Sequence, residues 1–442
     1  MAADRPDAQG MWWRPDGAAP WRVDALLRGA VARAAECPPE DVPIAEPRRA
    51  APPGHSRCTS ALPLRAARPL GLNAVRLAAQ AAERLRDCPG VADAGVERGG
   101  FVTLDADPEA RAAMVRAAAA DGDRFLRGYL HYLEGIGRLG DPPGRHGEGA
   151  PAPSAAVPVP AAEGERSASA PLDEASSVED LRRLARADAL LRMNAAVGTG
   201  SESSVGTAPE PGGEGAAGAP PREVSWRDPR LDGGHGTTPA ARLLATVGEA
   251  SARVAFCRSA AARPRPSEET GPGLPAVPTA ERPGAWVLGT AANPAFAVRY
   301  AHAHAASTLR WAREAHEARA ARTPEGCACS EPAGEHVDAV LAAALEPPAA
   351  AELAGALYDG PLVLHAARRR SEPHMLVRYL EGLAAAYHGW RGSCGGLIVG
   401  AAGGPAGREP ASAFGRLRLC AAAAEVLRAG LSLLGVSAPT RL

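Results

Sequence analysis

Three consecutive arginines, Arg368, Arg369 and Arg370, form the densest basic run in the chain. Guanidinium groups can bind phosphate oxygens, because each one presents a planar set of N–H donors. A second interpretation is open, since a basic run at the end of a helix also interacts favourably with the helix dipole and needs no ligand. Arg378 follows in the next predicted helix, which begins at Pro373, and could add to the same positive surface.

The cysteine and histidine spacings predict neither a metal site nor a nucleophile. The eight cysteines are scattered, and the one close pair, Cys327 and Cys329, has a spacing that fits zinc and disulfide frameworks poorly. We therefore expect reduced thiols. Gly234, His235 and Gly236 lie in the run DGGHGTT without a preceding apolar strand, so they indicate an ordinary loop. We expect no catalytic residue and no metal.

The charge balance excludes a strong global attraction to a polyanion. All 49 basic residues are arginine, since the sequence contains no lysine, and the net charge is -1. Contact with nucleic acid therefore has to come from local arginine patches. The N-terminus carries no signal segment, and no stretch approaches the roughly 18 apolar residues that a membrane span needs. We expect a cytoplasmic protein without a membrane partner.

The first part of the sequence predicts a small α/β domain over residues 1–128. Apolar residues recur at helical spacing after Trp21, and Pro38-Pro39 ends that helix. A short extended run, DVPIAEP, and a second helix that begins near Arg68 come next. The segment VADAGVERGGFVTLDAD then reads as two strands that turn at Gly99-Gly100.

Residues 129–222 read as a linker. Proline, glycine, alanine, serine and glutamate dominate it, and such a composition cannot bury enough surface to offset the entropy of ordering, so we predict disorder. One helix over residues 177–195 is the exception. Ser177 and Asp180 form a plausible capping box before an apolar run, and this helix could dock on the rest of the molecule.

Residues 291–442 predict an all-α bundle. Nearly every segment has helical periodicity, and in the last one apolar residues recur at steps of three and four from Leu417 to Leu434, which makes one buried stripe. The predicted fold is therefore α+β and multi-domain. It combines a small N-terminal α/β domain, a disordered Pro/Gly/Ala-rich linker and a C-terminal helical bundle.

Three segments of the bundle resemble the DALR anticodon-binding domain of class I arginyl-tRNA synthetases, in the family's order. NPAFAVRYAHAHAASTLRWA (residues 293–312) resembles its opening helix. EPHMLVRYLEGLAAAYHGW (372–390) resembles its Glu-Pro-His helix, and AGLSLLGVSAPTRL (429–442) resembles its closing signature. The bundle is identified on these segments as DALR-type.

Two further segments resemble the same family. The plan of the first 128 residues, with Gly100-Phe101 in its last strand, is similar to the additional N-terminal domain of these synthetases. The segment TPAARLLATVGEASARVAFCRS (238–259) resembles the last helices of the synthetase catalytic domain, and residues 223–290 are interpreted as a remnant of the end of that domain. The matching positions there are Gly248, Ala250, Arg253 and Arg258.

The resemblance implies that the bundle binds tRNA, with tRNA(Arg) as the favoured species. Aromatic and arginine planes suit the unpaired bases of an anticodon. For Tyr300 and His302 the alternative is burial in the bundle core. His304 stands where the family usually has arginine, and Thr440 and Leu442 replace its closing glutamate and methionine. The candidate tRNA-binding residues are Arg299, Tyr300, His302, His304, Arg310, Arg368, Arg369, Arg370 and Arg378.

The chemistry of the family is what the sequence lacks. A class I synthetase uses ATP on a Rossmann-type domain, with a His-Ile-Gly-His turn and a Lys-Met-Ser-Lys-Ser loop. A lysine-free chain cannot supply that loop in its usual form. We favour a catalytically incomplete paralogue that binds tRNA and needs no cofactor. Two alternatives are open: an ATP-dependent arginine–tRNA ligase that completes its site with a protein partner, and a helical protein-interaction module.

Overall fold

A computed structural model describes residues 16–50, 57–137, 175–195, 238–261, 263–320, 335–393 and 410–441. Several sequence predictions concern residues outside these ranges. They include the Cys327 and Cys329 pair, the loop around His235, most of the linker, and Leu442.

Within the described ranges the chain forms thirteen α-helices and six short strands. The N-terminal elements are α1 (Pro20–Ala35), β1 (Arg48–Arg49), β2 (Arg57–Ser60), α2 (Leu62–Ala67), α3 (Ala74–Arg86), β3 (Val91–Glu97), β4 (Phe101–Ala106), α4 (Pro108–Ala120) and α5 (Gly122–Gly135). The central elements are α6 (Val178–Ala195), α7 (Pro239–Val247), α8 (Glu249–Arg258), β5 (Glu269–Gly271) and β6 (Leu274–Pro275). The C-terminal helices are α9 (Pro294–Ala320), α10 (Glu335–Ala344), α11 (Pro348–Arg370), α12 (Pro373–Ser393) and α13 (Pro410–Leu433).

The N-terminal sheet is antiparallel, with the strand order β1-β2-β4-β3. Its β3–β4 hairpin pairs Glu97 with Phe101, and Gly99 and Gly100 adopt φ of 89° and 87°, which favours glycine. The predicted hairpin is thus confirmed. The second helix, which we expected from Arg68, begins only at Ala74, because the Asn73 side chain caps it by accepting a hydrogen bond from the backbone of Arg76.

The N-terminal elements and the C-terminal bundle share one continuous hydrophobic core. Helices α4 and α5 pack on α13, and α5 also packs on α11. A Cβ on Gly122 would lie only 2.3 Å from the carbonyl oxygen of Glu425, so this approach of α5 to α13 requires glycine. The expected boundary at residue 128 falls inside α5.

Ion pairs reinforce this contact between the two ends of the chain. Arg428 on α13 pairs with Asp123 on α5 at 2.6 Å, and Arg116 on α4 pairs with Asp338 on α10 at 2.9 Å. Both pairs are partly exposed, so their individual contributions to stability are small and packing dominates. The two ends therefore form one packed body.

Helix α6 packs on α7 and α8 and on the bundle helices α11, α12 and α13. Asp180 donates its backbone N–H to the Ser177 hydroxyl, as the capping pattern predicts. Farther along, the buried Asp188 carboxylate lies 2.6 Å from Arg253 on α8, whose side chain is also buried. Arg186 donates to the carbonyl oxygens of Phe256 and Ser259 at the end of α8, where helical carbonyls need partners from outside the helix.

Candidate nucleic-acid interface

Asn293 sets the start and direction of α9. Its amide nitrogen donates to the Ser251 hydroxyl and to the carbonyl oxygens of Trp286 and Leu288. Its Oδ1 accepts the backbone N–H of Ala295 at 3.0 Å, which satisfies a donor of the first helical turn. The Asn-Pro pair therefore anchors α9 to α8 and to the turn before it.

Two of the predicted RNA contacts face inward from α9. Arg299 is 5% exposed and donates to the carbonyl oxygen of Ser437, and His302 is 5% exposed and donates through Nδ1 to that of Pro439 at 2.9 Å. Burial lowers the pKa of His302 and also that of Arg299. We assign both side chains to holding the C-terminal tail against α9, because they are too buried to meet bases at the surface.

The outer side of α9 carries what we call the aromatic face: Phe296, Tyr300, His304 and Trp311 of α9 with His388 of α12. Tyr300 is 39% exposed and stacks against Phe296 and against His388, with ring centroids 5.7 Å and 5.6 Å away. Trp311 is 49% exposed, and its position eleven residues after Tyr300 puts it within about 20° of the same helix face. The face thus places exposed aromatic side chains along one side of the helix.

The histidines of the aromatic face are held in their neutral form. Burial is the main cause of the lowered pKa of His388, and the positive charge of Arg391 adds to it. The pKa of His304 is lowered in the same way, by burial first and then by Arg391 and His388. His304 Nδ1 lies 2.8 Å from the hydroxyl of the buried Tyr387, which fixes the ring. A neutral imidazole can stack on a base or hydrogen bond to its edge.

The remaining arginine candidates fall into two places. Arg310 is half-buried on α9, where it donates to the Ser307 hydroxyl and lies 3.9 Å from Glu314. Arg368, Arg369 and Arg370 form the last turn of α11, which ends at Ser371 in the left-handed region. The helix-end interpretation of this run therefore describes its position correctly.

Arg369, Arg370 and Arg378 also line a cleft of about 920 Å³. One wall is the segment 46–50 of the N-terminal part, and the other is formed by α11 and α12. Glu46 joins the two walls, since its carboxylate lies 3.0 Å from Arg369 and 3.5 Å from Arg65. Arg368 does not line this cleft.

Sequence reasoning found Tyr300 but missed most of its neighbours. Phe296 lies four residues before it on the same helix face, so helical spacing could have revealed it. His388 comes from another helix, and no local pattern places it against Tyr300. Arg48, on the opposite wall of the cleft, was missed for the same reason.

The described residues contain neither a cluster of metal ligands nor a single membrane-spanning helix. No group of three or more histidine, cysteine, aspartate or glutamate side chains there is placed to hold a metal ion. No single helix among them is long and apolar enough to cross a membrane. The helix pair Val337–Ala344 and Pro348–Arg370, bent by 112°, has the length and apolar composition of a membrane span only when the two helices are taken together.

Comparison with known proteins identifies the part of the chain that carries the aromatic face. Residues 298–442 match the family model of the DALR anticodon binding domain. The C-terminal third is a DALR domain. Tyr300, Trp311 and His388 all lie inside this DALR domain, and the expected α+β plan with a C-terminal DALR-type bundle is confirmed.

The curated relatives that match the chain share this C-terminal part with it. The arginine–tRNA ligase of Frankia alni is 39% identical over 155 residues, which is 35% of this chain and 24% of the relative. That of Micrococcus luteus is 37% identical over 152 residues, which is 34% of this chain and 24% of the relative. The chain thus spans about a quarter of these relatives' length. No solved structure matches the chain.

Proposed function

We propose that this protein binds tRNA through the aromatic face of its DALR domain and does not itself attach an amino acid. The observation that carries the proposal is Tyr300, which is held by Phe296 and His388 and yet is 39% exposed on the first helix of an anticodon-binding domain. Stacking on aromatic rings binds unpaired bases with affinity worth roughly 1–3 kcal/mol per base. The relatives named arginine–tRNA ligase make tRNA(Arg) the first species to test.

The second half of the proposal, catalytic incompleteness, is supported by composition. The 442 residues contain no lysine, so the phosphate-stabilising loop that a class I synthetase builds around lysine has no counterpart here. Arginine does not replace it, because a planar, delocalised guanidinium presents a different donor geometry from a compact ammonium. We propose that the protein holds or presents tRNA.

A binding titration tests the RNA half. The full chain is titrated into labelled tRNA(Arg) and into a non-cognate tRNA at low and at physiological salt, and bound RNA is measured by gel shift. We expect Tyr300→Ala to weaken binding roughly 5- to 150-fold, the loss of one stacked base. Leu191→Ala is the matched control, since Leu191 is also exposed but lies on α6.

Two results would contradict the proposal. Absence of tRNA binding even at low salt would remove its RNA half, because electrostatic attraction is strongest there. Pyrophosphate exchange that depends on arginine and ATP, catalysed by the purified chain, would remove its non-catalytic half and favour a ligase.

A further inference from the structure

The cleft between the two ends of the chain has the size of a small-molecule site. Its volume of about 920 Å³ lies within the range of roughly 300–1,000 Å³ typical of ligand pockets. The floor is apolar, with Leu362, Val363 and Leu383 among its residues. The walls come from opposite ends of the sequence, as is common for ligand sites between structural units.

The wall formed by residues 46–50 is held in place by hydrogen bonds to a buried carboxylate of α1. The buried Asp24 carboxylate accepts the backbone N–H groups of Ala45 and Glu46 at 2.7 Å and 3.0 Å. The same carboxylate accepts the Tyr129 hydroxyl at 2.7 Å, which ties the segment to α5. Glu46 adopts a positive φ of 46°, and this corner directs its side chain to Arg369. The cleft is therefore pre-formed.

Positive charge lies at the rim of the cleft, and negative charge lies within it. Arg48 and Arg370 are exposed, and neither has a charged partner among the residues that the structure describes. Arg49, in contrast, pairs with Glu352 at 3.1 Å and with Asp359 at 2.8 Å. An anion would thus meet unpaired guanidinium groups, while the two carboxylates keep acceptor capacity for hydroxyl groups.

The strongest indication of a polar ligand is His365, which lines the cleft and is only 9% exposed. Neither of its ring nitrogens has a hydrogen-bond partner in the described part of the chain, and Nε2 lies 3.9 Å from Glu46, beyond bonding distance. Nδ1 of His374, also in the lining, is without a partner there as well. Buried polar groups are normally paired, so these nitrogens point to a polar occupant.

We propose that this cleft binds a small sugar phosphate, either free or as part of a mononucleotide, independently of tRNA binding. The phosphate lies against Arg48 and Arg370, and the sugar hydroxyls hydrogen bond to His365 and to the carboxylates of Glu352 and Asp359. Guanidinium groups suit phosphate oxygens, and carboxylates suit ribose hydroxyls. A nucleic-acid backbone fits less well, because the lining mixes its arginines with three carboxylates, those of Glu46, Glu352 and Asp359, whereas the backbone charge is negative throughout.

Calorimetric titration of the full chain, without RNA, tests the proposal with ribose 5-phosphate, 5′-AMP, inorganic phosphate, ribose and adenosine as probes. We expect ribose 5-phosphate or 5′-AMP to bind at least tenfold more tightly than inorganic phosphate, and ribose and adenosine not to bind. The ratio between ribose 5-phosphate and 5′-AMP then decides between a free sugar phosphate and a nucleotide.

Variants locate the site. Arg370→Ala should weaken binding of the better probe at least tenfold, whereas Arg76→Ala, an exposed arginine on α3 outside the cleft, should leave it unchanged. His365→Leu should weaken binding without lowering the melting temperature, because the imidazole makes no hydrogen bond that the substitution would break.

Several outcomes would overturn the proposal. They are no binding of any phosphate probe, equal binding of inorganic phosphate and ribose 5-phosphate, and equal losses in Arg370→Ala and Arg76→Ala. A loss of tRNA affinity in Arg370→Ala, with no sugar phosphate bound, would assign the cleft to RNA instead. None of these results depends on whether the aromatic face binds tRNA.

Discussion

The imidazole of His365 is buried, and no hydrogen bond within the described residues replaces the hydration that it loses. Burial first, and then the nearby charge of Arg369, lower its pKa from 6.5 to about 4, while Glu46 on the cleft wall opposes the shift. The folded protein therefore keeps His365 neutral at a pH where the unfolded chain would already be protonated. This difference links stability to pH.

Acidification should destabilise the protein through this residue. Between pH 6.5 and about 4 the unfolded state binds a proton at His365 and the folded state does not, so the free energy of unfolding falls as the pH falls. The loss at pH 5 is on the order of 2 kcal/mol for this group. Urea unfolding at pH 7 and pH 5 measures it, and His365→Leu should show a smaller difference between the two pH values than the wild type.

The other shifted histidines, His302, His304, His374 and His388, act in the same direction, so the wild type should lose more than this amount. Only the difference between wild type and variant belongs to His365. An identical pH dependence in the two proteins would contradict its assignment as a buried neutral histidine.

For individual residues, the sequence predicted which side chains could bind RNA but not which of them face solvent. Arg299 and Tyr300 are adjacent in the same motif, yet one holds the tail and the other is exposed. Which side of α9 faces solvent is set by α12, α13 and the tail, and these contacts lie far away in sequence. Residue type therefore predicted an RNA-binding helix without predicting its outer face.

At the scale of elements, α6 is held by buried charge as much as by apolar packing. Asp188 is 5% exposed and accepts hydrogen bonds from Arg253 and Arg192, while Arg253 is 1% exposed and also bonds to Glu249. Removing one member of a buried pair leaves the other charge without compensation, which is more costly than the pair's net contribution.

Asp188→Ala should therefore lower the free energy of unfolding by about 3 kcal/mol, because Arg253 stays buried and loses its closest partner. Glu179→Gln is the control on the same helix, where the exposed carboxylate lies 3.7 Å from Arg182, and a loss below about 1 kcal/mol is expected. Urea unfolding measures both. Equal effects of the two substitutions would show that α6 is not held through Asp188.

The existence of α6 was predictable, and its docking only in part. The capping box and the apolar spacing predicted a helix over 177–195, and the helix spans Val178–Ala195. Its attachment depends on Arg182 and Arg186 reaching backbone carbonyls at and just after the end of α8, about 70 to 80 residues later. No local pattern in the low-complexity sequence around it encodes those partners.

At the scale of the whole molecule, the N-terminal part and the bundle are one body. Gly122→Ala tests this, since the added methyl group would meet the backbone of Glu425 on α13 and force α5 away from it. We expect destabilisation of roughly 1–3 kcal/mol, the usual cost of overpacking a close contact. The measurement is thermal unfolding with limited proteolysis.

Gly135→Ala is the matched control at the other end of α5, where nothing lies within 4 Å of the new methyl group. Alanine favours helix over glycine by roughly 0.5–1 kcal/mol, so this variant should be neutral or slightly more stable. If both glycine variants behaved alike, close packing of α5 on α13 would not be the cause.

The sequence predicted separate domains because its composition changes abruptly between residues 128 and 222. Composition reports local tendency, whereas the contact of α4 and α5 with α13 joins residues roughly 300 positions apart. The predicted boundary at residue 128 therefore cut through α5, whose partner α13 lies far away in sequence. The sequence therefore predicted the fold class, but not the packing of the N-terminal elements against the C-terminal bundle.

That long-range contact has a consequence during synthesis. The apolar face of α5, with Phe125, Leu126 and Leu130, is covered in part by a helix that ends at Leu433. At about 5–20 residues per second, a ribosome needs roughly 15–60 s to add the intervening stretch. Throughout that interval the apolar face of α5 stays partly uncovered in the nascent chain. Exposed apolar surface of this kind is what chaperones that act on nascent chains bind.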